Sequence, residues 1–160
     1  MDRYVSNQEE DTLQHAFQFA RALQNNVVLL TGELGAGKTT WTRGFANGLG
    51  IDDEVASPSY TLMNVYKTGS RVLYHFDLYR IGCLEEARDI GLFEVLEEGQ
   101  PCVIEWADRV PEIRSWLHNH VEITLLEDGT RSITTTDSIA PAIPGNRCRA
   151  DNEREGLEQK

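Results

Sequence analysis

The sequence predicts an α/β fold, three layers (α/β/α) around a small mixed sheet that includes antiparallel hairpins. Three observations predict it. The glycine-rich stretch GELGAGKTTWTRG, Gly32 to Gly44, joins the apolar run VVLLT to an amphipathic segment. Two further apolar runs, RVLYHFD and CVIE, each end in an acid. Two pairs of extended runs surround the turn signals TGS and DG, which makes the sheet mixed rather than wholly parallel.

The elements follow in order. SNQEEDTLQHAFQFARALQ puts Leu13, Ala16, Phe17, Ala20 and Leu23 on one helical face. Ser6 with Glu9 fits a capping box, and Asp11 or Thr12 would cap a later start. NNVVLLTG reads as a buried strand. In TTWTRGFANGLG, Trp41, Phe45 and Leu49 recur every fourth residue, so it reads as a helix. IDDEVASPSYT is a loop, because Pro58 disfavours helix at Ser57. YTLMNVYKTGSRVLYHFDLYR is a hairpin, LEEARDIGLFEVLEE a helix interrupted near Gly91, and QPCVIEW a buried strand. VPEIRSWLHNH is a short helix or loop, and VEITLLEDGTRSITTT a second hairpin. Residues 1–136 are expected to form one domain, and residues 137–160, poor in large apolar side chains, a flexible tail.

Composition bounds the function. A chain of 160 residues suffices for one real core, since a domain of about 150 residues buries roughly 70% of its unfolded surface. No apolar run approaches the roughly 20 residues of a membrane helix. The start MDRYVSNQEEDT lacks the apolar stretch of a signal peptide, so the expected location is cytoplasmic. Cys83, Cys102 and Cys148 show no metal-ligand spacing and read as reduced thiols. The net charge of −11 disfavours direct tRNA or DNA binding, which depends on Lys and Arg contacts to phosphate, and leaves room for a basic protein partner.

Gly32, Gly37, Lys38 and Thr39 fit the pattern G-x-x-x-x-G-K-[ST], with a strand before and a helix after. Gly35 and Gly37 can adopt positive φ, so that successive N–H groups point into one concavity. The helix that follows adds its unpaired N–H groups and its positive dipole end. Lys38 would reach the β- and γ-phosphates, and the Thr39 hydroxyl would ligate Mg²⁺. The expected fold is therefore that of a P-loop NTPase.

Such a site also needs a carboxylate at the end of a neighbouring strand. Asp77 and Glu105 both qualify. Glu105 is assigned chiefly to Mg²⁺ and Asp77 to the attacking water or the metal shell, an assignment that sequence alone leaves open to reversal. Ser57, Ser59 and Thr61 lie where switch loops cover a γ-phosphate. Arg80 follows Asp77 closely enough to reach a phosphate, anchor a partner or form a surface ion pair. His75 reads as a packing residue of the sheet. The chain lacks an N-K-x-D stretch for guanine, an Arg-rich lid and an evident arginine finger. A site short of transition-state charge turns over slowly alone, so stimulation by a partner is expected.

Taken together and in order, GELGAGKTTWTRG, SPSYTL, YHFDLYR, IGL and IEW resemble the TsaE (YjeE) family over roughly residues 6–136. That resemblance implies an ATPase of tRNA threonylcarbamoyladenosine (t6A) synthesis that binds ATP or ADP with Mg²⁺. It implies TsaD and TsaB as partners, with tRNA reached through them. It places Gly35, Ala36, Gly37, Lys38, Thr39 and Thr40 on the phosphates, Thr39 and Glu105 on Mg²⁺, and Asp77 in hydrolysis. It makes Ser57 to Thr61 a mobile switch, sets Trp106 near the site, and puts the nucleoside near Glu10 to Thr12 and near Arg131. The alternatives are a small-molecule kinase and a nucleotide-gated binding module without useful hydrolysis.

Overall fold

The computed structural model describes residues 1–23 and 25–137. In chain order the elements are β1 (Asp2–Ser6), α1 (Glu9–Arg21), β2 (Val27–Gly32), α2 (Lys38–Gly48), β3 (Met63–Thr68) and β4 (Arg71–Asp77). Then come α3 (Leu84–Asp89), α4 (Leu92–Glu97), β5 (Cys102–Glu105), two 3₁₀ turns (Ala107–Arg109 and Pro111–Ser115), β6 (Asn119–Leu125) and β7 (Arg131–Asp137). They build one 7-stranded sheet in the order β1-β7-β6-β2-β5-β4-β3. The middle strands β6, β2, β5 and β4 run parallel, while the β3–β4 and β6–β7 hairpins make the flanks antiparallel.

Alternation along the central strands separates two cores. In β2, Val28 and Leu30 face a cluster with Ala16, Trp41, Phe45 and Val121. Val27 and Leu29 face the other side, with Phe76, Leu92, Ile104 and Ile113. Side chains on successive strand residues point to opposite faces, so one apolar run serves both layers. Trp41 and Phe45, one helical turn apart, stack at 5.2 Å between centroids and are fully buried. Cys102, also fully buried, has its thiol pushed up to about 12 by burial, which leaves it an inert core residue.

Two glycines set the distance between α1 and α2. A Cβ on Gly44 would strike the carbonyl oxygen of Leu13, and one on Gly48 that of Phe17. The two pairs share the same four-residue spacing, so α2 lies against the α1 backbone along one line.

In the N-terminal segment the structure adds one strand and corrects one reading. Asp2–Ser6 is a strand, paired antiparallel to β7 from Asp2↔Thr135 to Ser6↔Arg131. Its first 4 residues are exposed, so it carries no apolar alternation that would mark it. The expected Ser6–Glu9 cap lies two residues too early. Gln8 is the N-cap, and the Asp11 carboxylate accepts from the backbone N–H groups of Asn7 (2.9 Å) and Gln8 (3.2 Å). Ser6 instead donates to Gln8 O at 2.9 Å and meets the Thr12 hydroxyl at 2.7 Å. Asp137 closes β7 opposite Asn119, whereas 138–160, with Cys148, lie outside the described residues. Among the described residues no helix is long and apolar enough to cross a membrane.

Candidate functional site

The parallel strands set two acids side by side. Register pairs Asp77 of β4 with Glu105 of β5, and Glu105 in turn with Leu30 of β2, two residues before the glycine-rich loop. Ligands of open α/β sheets bind at the carboxyl ends of such strands. There the structure has a cleft of about 800 Å³, lined by Gly35, Gly37, Lys38, Thr39 and Thr40 on one wall and by Ser57, Asp77, Arg80 and Glu105 on another. Ser59, Tyr60, Tyr79, Trp106 and Arg131 complete the rim.

The phosphate loop takes its shape from its own residues. Gly37, the N-cap of α2, has φ 104°, and Gly35 has φ 81°, conformations that a Cβ would strain. Ala36 N–H donates to Glu33 O at 3.1 Å. Lys38 Nζ donates to the carbonyls of Gly32 (2.8 Å) and Glu33 (3.0 Å), bracing the loop across its mouth. From β7, Arg131 Nε donates to Ala36 O at 2.8 Å.

The opposite wall depends on residues distant in sequence. Asp77 is 5% exposed and Glu105 3%, both buried acids at the cleft floor. Asp77 accepts from Tyr79 N–H (3.0 Å) and from the Ser59 hydroxyl (3.2 Å), which itself meets Ser57 at 2.8 Å. Glu105 Oε1 lies 2.8 Å from Nε2 of the fully buried His75. His75 Nδ1 meets the Tyr66 hydroxyl at 3.1 Å, and Tyr66 donates to Ala56 O at 2.7 Å. Burial holds the Tyr66 phenol above its ordinary value, against the smaller opposing effects of the Asn64 and Ala56 hydrogen bonds, so it stays a donor.

Leu62 (φ 66°) and Trp106 (φ 58°) are non-glycine residues with left-handed backbone, a conformation that costs of order 1–3 kcal/mol. Leu62 O accepts from Asp77 N–H at 3.0 Å, and Trp106 directly follows Glu105. Both strained residues therefore abut an acid of the cleft. Trp106 packs on Tyr79 (5.0 Å), Arg109 lies over the Tyr79 ring (5.3 Å), and Arg80 lies over the Tyr60 ring (4.6 Å).

The cleft thus gathers most of the residues singled out from sequence. Gly32 and Ala36 serve through their carbonyls, which Lys38 and Arg131 hold. Thr61 stands apart on an exposed turn, donating to Asn64 Oδ1 at 2.7 Å. Glu10 is exposed on α1, Thr12 is buried against Ser6, and neither lines the cleft. Sequence reasoning left His75 to packing and passed over Tyr66. Alternation along β4, which sets His75 on the same face as Asp77, was the available signal.

The family model for "Threonylcarbamoyl adenosine biosynthesis protein TsaE" matches residues 6–133. The chain belongs to the TsaE family. A Treponema pallidum relative named tRNA threonylcarbamoyladenosine biosynthesis protein TsaE is 41% identical over 133 residues, covering 82% of this chain and 98% of that protein. The TsaE of the same name from Bacillus subtilis is 39% identical over 130 residues, covering 81% of each. The crystal structure of Bacillus subtilis YdiB superposes with a TM-score of 0.67 at 34% identity, covering 85% of this chain and 84% of that one. The phosphate loop, both acids and Arg131 all lie inside the segment matched by the TsaE model.

Proposed function

We propose that this chain is the Mg²⁺-dependent ATPase of t6A synthesis, working in the cytoplasm with TsaD and TsaB, which bring the tRNA. One observation carries the reading: a glycine-shaped phosphate loop faces two buried carboxylates at the same register level across one cleft. Membership of the TsaE family, whose relatives carry t6A biosynthesis in their names, supplies the pathway.

The loop N–H groups and the start of α2 would grip the phosphates of ATP. Lys38, now on two carbonyls, would exchange them for phosphate oxygens. Thr39, Glu105 and Asp77 form an all-oxygen donor set suited to a hard cation kept partly hydrated. Those three residues would hold Mg²⁺, and the ion would supply positive charge against that of the triphosphate. Asp77 would orient the attacking water, and Ser57 and Ser59 would close on the γ-phosphate side. Arg131, which lines the cleft, would steady the loop through Ala36 and lie beside the nucleoside. Arg80, held over the Tyr60 ring, is the cation best placed to be redirected when a partner docks. The net charge of −11 fits a subunit that leaves tRNA to its partners.

The deciding experiment is reconstitution with TsaD, TsaB, threonylcarbamoyl-adenylate and unmodified tRNA, counting modified tRNAs per complex with and without ATP. Several turnovers only with ATP are expected, together with free phosphate. The γ-phosphate appearing on a metabolite would instead make the chain a kinase. Phosphate release absent even with both partners would make it a nucleotide-gated module.

A further inference from the structure

One of the cleft's acids, Glu105, is tied to a loop by two side chains, His75 and Tyr66, that do not themselves line the cleft. His75, fully buried on β4, spans from Glu105 Oε1 (2.8 Å) to the Tyr66 hydroxyl (3.1 Å). Tyr66, 3% exposed on β3, passes its single hydroxyl proton to Ala56 O at 2.7 Å. The chain of bonds therefore runs from a cleft carboxylate through two strands to the first residue of the segment 56–62. The far end of that segment is fastened to the other acid, through Ser59 to Asp77 and from Asp77 N–H to Leu62 O.

We infer that His75 and Tyr66 are positioning residues: they fix the orientation of the Glu105 carboxylate and couple it to residues 56–62, so that the loop's place and the acid's aim change together. This deepens the ATPase reading and rests on it. A buried carboxylate with one oxygen held by a ring that is itself held has a restricted range of orientations, and such restriction is what catalytic alignment requires. Asn64 Nδ2 also reaches Ala56 O, at the longer distance of 3.2 Å, so the loss of Tyr66 alone loosens the loop start without freeing it.

Two readouts test the inference. In the free chain, Tyr66→Phe should speed amide hydrogen exchange between Ala56 and Leu62 by roughly 3–10-fold, the scale of one hydrogen bond, with exchange in the phosphate loop unchanged. In the complex, His75→Leu should lower kcat by about 10–100-fold with KM for ATP held within roughly threefold, as misaimed chemistry does and lost binding does not. His75→Gln, which restores a donor toward Glu105, should recover at least several-fold of that loss. Should His75→Leu fail to fold, His75→Asn, too short to span both partners, takes its place. A wild-type kcat in the folded His75 variant, or wild-type exchange in Tyr66→Phe, overturns the inference. A wild-type chain that neither binds nor hydrolyses ATP ends the ATPase reading instead, and the exchange measurement still judges the coupling.

Discussion

The two walls of the cleft are built in opposite ways. The phosphate loop is braced largely by near neighbours in sequence, Lys38 on Gly32 and Glu33 and Ala36 on Glu33, with Arg131 the one distant hand. Residues 56–62 are held by the acids they face, through Ser59, Leu62 and the Tyr66–His75 pair. The first wall is therefore shaped before any ligand arrives. The second adds ties to Asp77 and Glu105 to its local bonds, Leu62 N–H on Pro58 O (2.8 Å) and Asn64 on Ala56 O (3.2 Å), and under the coupling inferred above anything that draws on those acids would act on the loop.

The largest effect should come from the acids. Asp77→Asn and Glu105→Gln should each cut phosphate release by about 10²–10⁴-fold while leaving nucleotide affinity within a few-fold, as measured with a fluorescent ATP analogue. Equal losses of affinity and rate would erase the distinction between the walls. Lys38→Ala should next weaken that analogue by about a hundredfold or more, since charge-assisted bonds contribute about 1.5–3 kcal/mol each. It should leave proteolysis of residues 56–62 unaltered. Ser59→Ala, which removes one tie to Asp77, should slow turnover by roughly 3–10-fold and leave affinity alone, read from single-turnover kinetics.

The smallest effect concerns the seat of α2. Trp41 Nε1–H donates to His15 Nδ1 at 3.2 Å, which requires that nitrogen to be unprotonated. Burial lowers the His15 value from 6.5, so the unfolded chain takes up the proton first. The contribution is complete above about pH 6.5 and is lost as pH falls below it. His120, lowered chiefly by burial, acts in the same direction. Thermal melting at pH 5.5 should fall below that at pH 8, and His15→Gln should remove part of the difference, leaving the His120 share.

What the sequence made legible follows the same division. The phosphate loop, the strands VVLLT and CVIE, both hairpins and the break near Gly91 rest on local patterns, and each is where the pattern put it. β1 was not legible, because an edge strand with exposed side chains owes its conformation to β7 and not to its own alternation. The Gln8–Asp11 cap was displaced from Ser6 because that hydroxyl is drawn inward to Thr12. The role of His75 depends on which residue lies across β5, and register is a tertiary fact. The positive φ of Leu62 and Trp106 is likewise imposed by surroundings, since neither residue type favours it.

Gly44 and Gly48 bear on engineering. Where main chain meets main chain, no rotamer is available to absorb a changed neighbour, so α1 and α2 have a single seating. A designer who moved the unit of β2, glycine-rich loop and α2 into another scaffold would have to carry α1 along. Without its matching groove, the transplanted helix would settle at a different height and offer its amides to the wrong place.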